Sequence, residues 1–293
     1  MNAGHGFRSA LRVFSMLIAV AAALPALAQD PPEWSEPVKP FRIAGNVHYV
    51  GTKGLAAYLI TTRDGAILLD ATLVQNAGQI ERNIESLGVP LREVKLLLSD
   101  HAHADHVGAM AQLKRDTGAR VLASEGDRWA LENGRNQGDN NYGVMPFDPI
   151  PVDETIRDGQ TVRLGEVELT AHLTPGHTRG CTSWSMTVDD RGTPRQVLFL
   201  CSITVAGNTL VGNRTYPGIA DDYRATFAKL AAMRADIVLT SHPEMSDVLE
   251  RAARRDAGEA DAFIEPTLLP TLVNDFSAAF EKALKEQEAA KRR

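Results

Sequence analysis

The 293 residues are enough for one large domain or two small ones, and a composition of 44% hydrophobic and 23% charged residues excludes a disordered or fibrous protein. The formal net charge is −6, and no run of Lys and Arg precedes the final KRR. Nothing in this balance favours a nucleic acid or an anionic membrane surface as partner.

The first 28 residues have the layout of a cleaved export signal. Two arginines and no acidic residue precede an apolar run at 13–24, and ALA at 26–28 provides the small side chains of a cleavage site. The run is short for a membrane span, which disfavours the alternative of a membrane anchor. We expect cleavage after Ala28, a bacterial periplasmic location, and a single mature domain at 29–293 without membrane attachment.

The first half of the mature chain alternates strand and helix patterns after a proline-rich arm at 30–41. The turn Arg63-Asp64-Gly65 predicts a hairpin, and Gly88 is a typical residue after a helix C-terminus. The predicted elements are strands at 46–51, 56–62 and 66–71, a helix at 76–88, a strand at 94–99, a helix at 107–118 and a strand at 119–124.

The second half repeats this alternation. The predicted elements are hairpins at 160–174 and 182–203, a helix at 221–233, a strand at 236–243 and a C-terminal helix from 274. A Gly-, Asn- and Pro-rich stretch at 132–159 predicts a long loop, a kind of segment that is usually functional or mobile. Two similar halves predict two sheets packed together with helices outside.

The stretch SDHAHADHVG at 99–108 contains three of the eight histidines. His101 and His103 are two residues apart, so in an extended segment they project to one side and can bind one metal ion. Asp105 and His106 follow where the loop becomes a helix, and they can reach a second ion. Imidazole and carboxylate ligands suit zinc; the alternative is a polar loop with solvated histidines.

Two further histidines each follow a predicted strand, His177 in LTPGHTRGC and His242 in LTSHP. If the halves pack as predicted, both lie at the same rim of the sheets. Either one alone would more often be a polar loop residue, but together with the cluster they are predicted ligands. His48 and His172 lie within strands, and we interpret them as structural.

The motifs HAHADH, GHTRGCTSW and SHP resemble the metallo-β-lactamase superfamily. The arm at 34–41, ILLDA at 67–71 and the segment at 213–227 are similar to class B β-lactamases of subclass three, so the resemblance covers nearly the whole mature chain. It implies an α/β fold, a four-layer αβ/βα sandwich of two mixed sheets with helices outside. It also implies zinc-dependent hydrolysis of the β-lactam amide of penicillins, cephalosporins and carbapenems.

By this resemblance two Zn²⁺ bind per chain, each with open positions for water. The implied ligands are His101, His103 and His177 for the first ion and Asp105, His106 and His242 for the second. A metal-bound hydroxide would attack the β-lactam carbonyl while the first zinc polarises the carbonyl oxygen. Asp105 is the catalytic candidate because a ligand in contact with the hydroxide can orient it.

The segment LFLCSITVAG at 198–207 distinguishes functions within the family. Glyoxalase II and acyl-homoserine lactonases use an additional Asp between the last two His ligands, whereas this segment contains no Asp or Glu. Ser202 takes the aligned position, and its hydroxyl can hold a metal-bound water. The alternative function is another hydrolase of this fold, a lactonase or thioesterase. A non-catalytic metal-binding protein is disfavoured because no ligand is missing.

Cys181 and Cys201 are the only cysteines, and in an exported chain a pair first suggests a disulfide. The alternative is that one of them binds metal. On the family alignment Cys201 is one residue away from the ligand position, so strand alternation directs it away from the metals and toward Cys181. This favours the disulfide over a thiolate ligand.

The resemblance also implies that Ser202 and Thr204 hold the substrate carboxylate, the alternative being ordinary strand hydroxyls. Asp70 is a candidate to support a ligand imidazole from behind, or equally a turn residue. The pocket rim would include Trp34 and, within the loop at 132–148, the residues Asn140, Asn141 and Tyr142.

The chain departs from the family pattern at Ala104, at Arg179, where Pro is usual, and at Asp100, where Ser or Thr is commoner. We expect Asp100 to support the loop or its neighbours and not to bind metal itself. The expected partner is a small β-lactam molecule, and the expected oligomeric state is a monomer.

Overall fold

Alternating apolar residues form two mixed β-sheets in the computed structural model, which describes Met1 and residues 30–292. The predicted export signal falls on residues outside this range. In the first sheet β1–β4 are antiparallel and β4–β7 are parallel. Its strands, in pairing order, are β1 (Phe41–Ala44), β2 (Val47–Tyr49), β3 (Tyr58–Thr62), β4 (Gly65–Leu69), β5 (Val94–Leu98), β6 (Arg120–Ser124) and β7 (Glu154–Ile156).

The second sheet contains β8 (Thr161–Leu164), β9 (Val167–Leu173), β10 (Thr182–Asp190), β11 (Thr193–Leu200) and β12 (Ile237–Thr240). They pair in the order β12-β11-β10-β9-β8, and only β11 and β12 are parallel. The hairpins predicted at 56–71, 160–174 and 182–203 are therefore confirmed as β3–β4, β8–β9 and β10–β11. At the last turn Arg191 and Gly192 both have positive φ, of 56° and 82°, as a tight hairpin turn requires.

Helices flank the two sheets. They are α1 (Ala77–Ser86), α2 (Ala104–Val107), α3 (Met110–Thr117), α4 (Glu125–Asn133), α5 (Ile219–Ala231), α6 (Val248–Asp256) and α7 (Leu268–Lys291). Buried residues of α1, α3 and α4 form one core with the outer face of the first sheet, and those of α5 and α7 form another with the second. Val248 and Ala252 of α6 instead pack against the core between the sheets. Among the described helices, none has the length and apolar character needed to cross a membrane.

The central core lies between the two sheets. Along β3, Tyr58 and Ile60 belong to this core, whereas Leu59 between them packs on the helix side, as the two-residue period of a strand dictates. The Tyr58 hydroxyl donates a hydrogen bond of 2.7 Å to the carbonyl of Thr240 and so links the sheets beside the end of β12. The four-layer sandwich implied by the resemblance is confirmed.

The sequence patterns missed β1, α4, β7 and α6. The stretch at 132–159, predicted as one loop, contains β7, which pairs in parallel with β6. A three-residue edge strand is too short to show a periodicity, and its pairing depends on a partner distant in sequence. The C-terminal helix begins at Leu268, six residues before the predicted start at 274.

Candidate metal centre

Six predicted ligands meet at one rim of the sandwich, where strands of both sheets end. The loop after β5 and the short helix α2 supply four, the β9–β10 connection supplies one, and the end of β12 supplies one. In chain order they are His101, His103, Asp105, His106, His177 and His242. They form two clusters of three, and in each cluster the ligand atoms lie within 4.8 Å of one another.

The first cluster consists of His101, His103 and His177, all buried. Nδ1 of His103 lies 3.2 Å from Nε2 of His177, and the ring of His101 is 4.7 Å and 4.5 Å from theirs. Nε2 of His101 is buried without a hydrogen-bond partner among the described residues. An orphaned buried nitrogen beside two others is a donor set that fits a bound cation.

The second cluster consists of Asp105, His106 and His242. Oδ2 of Asp105 lies 3.1 Å from Nε2 of His106 and 3.4 Å from Nε2 of His242. Helix α2 sets Asp105 and His106 side by side at its start. One carboxylate with two imidazoles suits zinc as well.

Burial dominates the proton affinities of the first cluster. It lowers the pKa of His101 to about 4 and the pKa of both His103 and His177 to about 3. Burial also lowers the pKa of His106, but Asp105 and neighbouring carboxylates outweigh it and raise that pKa to about 9. The first cluster is therefore three neutral imidazoles, the form that binds metal.

Each imidazole of the first cluster is held from behind. Nδ1 of His101 donates to Oδ1 of Asp100 at 2.8 Å, and Nδ1 of His177 donates to the Thr204 carbonyl at 2.9 Å. Nε2 of His103 lies 3.2 Å from the Tyr142 hydroxyl. These contacts fix the protonated nitrogen of each ring and leave the other nitrogen facing the cluster.

Asp70 directly follows β4 and has a left-handed conformation, with φ of 62°. Its Oδ1 accepts the backbone N–H of Asp100 at 2.9 Å, and carboxylate oxygens of both residues lie within 4.8 Å of a ring nitrogen of His106. Burial and the neighbouring Asp100 raise the pKa of Asp70 well above its usual range. Asp70 therefore holds the backbone of Asp100 in place, and its carboxylate lies near His106 without a hydrogen bond to the buried Nδ1 of that ring.

Asp127, in the first turn of α4, is a residue that sequence reasoning missed. Its carboxylate accepts hydrogen bonds from Ala102 N–H at 3.0 Å, Gly180 N–H at 2.9 Å and the Thr178 hydroxyl at 2.9 Å. A Cβ on Gly180 would collide with Ser124 and Asp127, so the loops must approach closely. Asp127 thus ties together the two loops that carry the first cluster, although no local motif marks it.

Cys181 and Cys201 form a disulfide, with Cα atoms 5.9 Å apart, the pairing that the sequence favoured over a thiolate ligand. Sγ of Cys201 lies 3.9 Å from Nδ1 of His101, on the side of that ring which faces Asp100. The sulfur is therefore behind the imidazole and not among the atoms that face the cluster.

Ser202 and Thr204 lie side by side after β11, their hydroxyls 3.0 Å apart. Both hydroxyls lie close to Nδ1 of His177, at 3.2 Å and 3.3 Å. Ser202 is buried and Thr204 is half-buried. The pair therefore lies on the Nδ1 side of the His177 ring, whereas Nε2 of that ring faces His103.

Asp139, another residue that the sequence did not single out, joins the loop between α4 and β7 to the loop between β11 and α5. Its carboxylate accepts hydrogen bonds from the Arg214 N–H at 2.8 Å and the Thr215 hydroxyl at 3.0 Å. Asn140 caps the next turn by accepting from the N–H groups of Tyr142 and Gly143 at 3.1 Å and 2.7 Å. Together these bonds position the Tyr142 side chain over His103.

On the opposite side, the Trp34 ring lies 5.5 Å from the ring of His242. Asn141 contacts the loop between β11 and α5, because its backbone N–H donates a hydrogen bond of 3.1 Å to the Gly207 carbonyl. Arg179 directs its guanidinium away from the clusters, 4.9 Å above the Tyr216 ring and 3.0 Å from the Thr215 carbonyl. The guanidinium therefore contacts the loop between β11 and α5 and does not contact the metal ligands.

Comparison with known proteins agrees with this geometry. Residues 53–242 match the family model of the metallo-β-lactamase superfamily. The subclass B3 metallo-β-lactamase BJP-1 of Bradyrhizobium japonicum superposes with a TM-score of 0.84 and 46% identity, over 88% of this chain and 98% of that one. Native FEZ-1 metallo-β-lactamase from Legionella gormanii superposes with a TM-score of 0.82 and 39% identity, over 87% and 98%.

Curated relatives carry a different name. A hydroxyacylglutathione hydrolase of Bradyrhizobium sp. is 27% identical over 68% of this chain and 71% of its own length. One from Mesorhizobium japonicum is 26% identical over 62% and 66%. The chain thus spans about two thirds of these relatives. The family model, the fold and the neighbours of subclass B3 confirm the resemblance, and the chain belongs to the metallo-β-lactamase superfamily.

Proposed function

We propose that the protein is a zinc-dependent β-lactamase that binds two Zn²⁺ and hydrolyses penicillins, cephalosporins and carbapenems. The observation that carries the proposal is the pair of adjacent three-ligand clusters at the rim. Ser202 and not a carboxylate follows β11, which favours β-lactams over the substrates of hydrolases with an additional Asp there. The subclass B3 neighbours, with up to 46% identity, support the same conclusion.

When bound, the metal ions supply Lewis-acid chemistry and a water whose pKa is lowered to about 7. The carboxylate of Asp105, at the edge of the second cluster, accepts a hydrogen bond from the attacking water and orients it. The hydroxyls of Ser202 and Thr204 donate to the substrate carboxylate beside His177. Tyr142 and Trp34 flank the clusters from two sides and provide apolar surface for substrate substituents.

A thioesterase is the second candidate, because the curated relatives are named hydroxyacylglutathione hydrolases. The two functions are distinguished by one hydrolysis panel on the metal-loaded mature protein. The panel contains a penicillin, a cephalosporin, a carbapenem, a hydroxyacyl thioester of glutathione and a lactone, each with and without a chelator. We expect chelator-sensitive opening of all three β-lactams. Cleavage of the thioester or lactone with the β-lactams left intact would overturn the proposal.

We further propose that the enzyme works as a monomer in the periplasm after cleavage following Ala28. The pattern of charged, apolar and small residues at 1–28 and the disulfide support export. Cell fractionation with N-terminal sequencing should find a periplasmic chain that starts at Gln29. Light scattering should give the mass of one mature chain; a cytoplasmic, uncleaved protein would contradict the proposal.

A further inference from the structure

Asp100 is fixed from three directions directly behind the metal clusters. It is 3% exposed. Its N–H donates to Oδ1 of Asp70 at 2.9 Å, and its carbonyl accepts from the N–H of Thr182 at 2.8 Å. Its side chain is left to face the histidines, and Oδ1 accepts from Nδ1 of His101 at 2.8 Å.

The carboxylate of Asp100 also lies near the other cluster. Oδ2 of Asp100 and Nδ1 of His106 are both buried and without a hydrogen-bond partner in the described part of the chain. A carboxylate oxygen of Asp100 lies within 4.8 Å of a ring nitrogen of His106. Since Nε2 of His106 faces Asp105 at 3.1 Å, Nδ1 is the nitrogen free to face Asp100. The rings of His101 and His106 are 4.3 Å apart.

We propose that Asp100 is a positioning residue shared by the two metal sites, with one carboxylate oxygen serving His101 and the other serving His106. The inference rests on the two-metal assignment of the proposed function. A carboxylate behind an imidazole fixes its orientation and tautomer and makes its metal-facing nitrogen more basic. One side chain that does so for a ligand of each ion couples the affinities of both sites.

A purely structural role for Asp100 would act through its backbone. The bonds to Asp70 and Thr182 use only main-chain atoms of Asp100, so a side-chain substitution leaves them in place. Asp100→Asn keeps the size of the side chain but has one accepting oxygen and no charge. Asp100→Ser keeps one hydroxyl oxygen and shortens the side chain. Both variants therefore test the carboxylate and not the loop.

The first experiment measures metal affinity. The metal-free mature protein is titrated with Zn²⁺ in competition with a chromophoric chelator, which gives the dissociation constants of both sites. We expect Asp100→Asn and Asp100→Ser to weaken both sites by about 10- to 100-fold, the range for lost support behind a ligand. Asp261→Asn is the matched control, because among the described residues this exposed carboxylate pairs with Arg191 in the β10–β11 hairpin turn and with no residue of the clusters. It should bind both ions as the wild type does.

A second readout is specific to the imidazole N–H groups. In the Co²⁺-loaded protein these protons give solvent-exchangeable, paramagnetically shifted NMR signals. Asp100→Asn should move or broaden the signals of His101 and His106 and leave those of His103 and His177 in place. Weakening of the first site alone, or unchanged His106 signals, would overturn the shared role. Wild-type affinities in both variants would overturn any role of the carboxylate.

These outcomes are separable from those of the proposed function, because neither readout involves a substrate. A wild-type protein that binds two ions but cleaves no β-lactam removes the lactamase assignment and leaves the Asp100 experiment intact. A wild-type protein that cleaves β-lactams, with Asp100 variants that bind metal normally, removes the inference alone. Urea unfolding of each metal-free variant shows that the chain still folds before metal is added.

Discussion

The hydroxyl of Tyr142 lies 3.2 Å from Nε2 of His103, so a side chain of the long rim loop touches a ring of the first cluster. His103 faces His177 through its other nitrogen. The loop therefore does more than border the pocket, because its conformation reaches the cluster through this one contact.

Tyr142→Phe removes that contact and little else. Because Tyr142 is 37% exposed, we expect a small effect on the free energy of unfolding, within about 0.5 kcal/mol. The first site should bind Zn²⁺ about tenfold more weakly, since the tautomer of His103 loses its support. Competition titration checks this, with Val144→Ala as the control from the same exposed loop. Equal first-site affinity in Tyr142→Phe and wild type would show that the hydrogen bond has no part in metal binding.

His177→Ala and His242→Ala should separate the two clusters. Each removes one of three ligands from one cluster, so metal analysis should find one tightly bound ion per chain instead of two. Because His177 also lies beside Ser202 and Thr204, its loss should reduce kcat/KM for β-lactams by at least about 100-fold. Turnover at the wild-type rate in His177→Ala would remove this residue from the ligand set.

The stability of the metal-free protein should depend on Asp127 between pH 4 and 7. Burial raises the pKa of Asp127 from 3.8 to about 6. The folded protein thus holds this proton more tightly than the unfolded chain. The resulting stabilisation is complete below pH 3.8 and is lost as the pH rises through about 6.

The neutral variant Asp127→Asn lacks this titration. Relative to it, the wild type should lose up to about 3 kcal/mol in free energy of unfolding between pH 4 and 7. Urea unfolding of both proteins across this range, in the presence of chelator, measures the difference. A difference that stays constant with pH would mean that Asp127 does not titrate there.

The disulfide should contribute stability mainly through the unfolded chain. Cys181 and Cys201 are separated by 20 residues, and a loop of that length is worth about 3 kcal/mol in the chain-entropy model. The double variant Cys181→Ala, Cys201→Ala should lose about that amount in urea unfolding at fixed metal concentration. Thiol titration of the denatured, unreduced wild type should find no free thiol. Two free thiols would show that the bond does not form in the isolated protein.

The order of the elements and the six candidate ligands could be predicted because their signals are local. Two-residue and helical periods mark the strands and helices, and HxHxDH places four side chains within six residues. His177 and His242 join them because each follows a strand, and the strand ends share a rim. The long loop was only partly predicted, since β7 is a short edge strand that needs β6 to form.

The supporting contacts could not be predicted in the same way. Asp127 follows no motif, and it acts only because folding brings Ala102, Thr178 and Gly180 to one carboxylate. Asp100 stood out as a departure from the family pattern, and strand alternation was enough to direct it away from the metal side. The sequence could not show that the carboxylate of Asp100 bonds His101 and also lies near His106, because that arrangement depends on how the loop after β5 and α2 pack together.

Each cluster combines side chains that follow strands of different sheets: His101 and His103 with His177, and Asp105 and His106 with His242. A bound ion would therefore cross-link the two sheets at that rim. A free metal concentration 100 times the dissociation constant raises the free energy of unfolding by about 2.7 kcal/mol for each site. The resistance of this protein to heat and proteases should then increase with the concentration of free zinc. Zinc depletion should therefore lower the amount of folded protein as well as its activity.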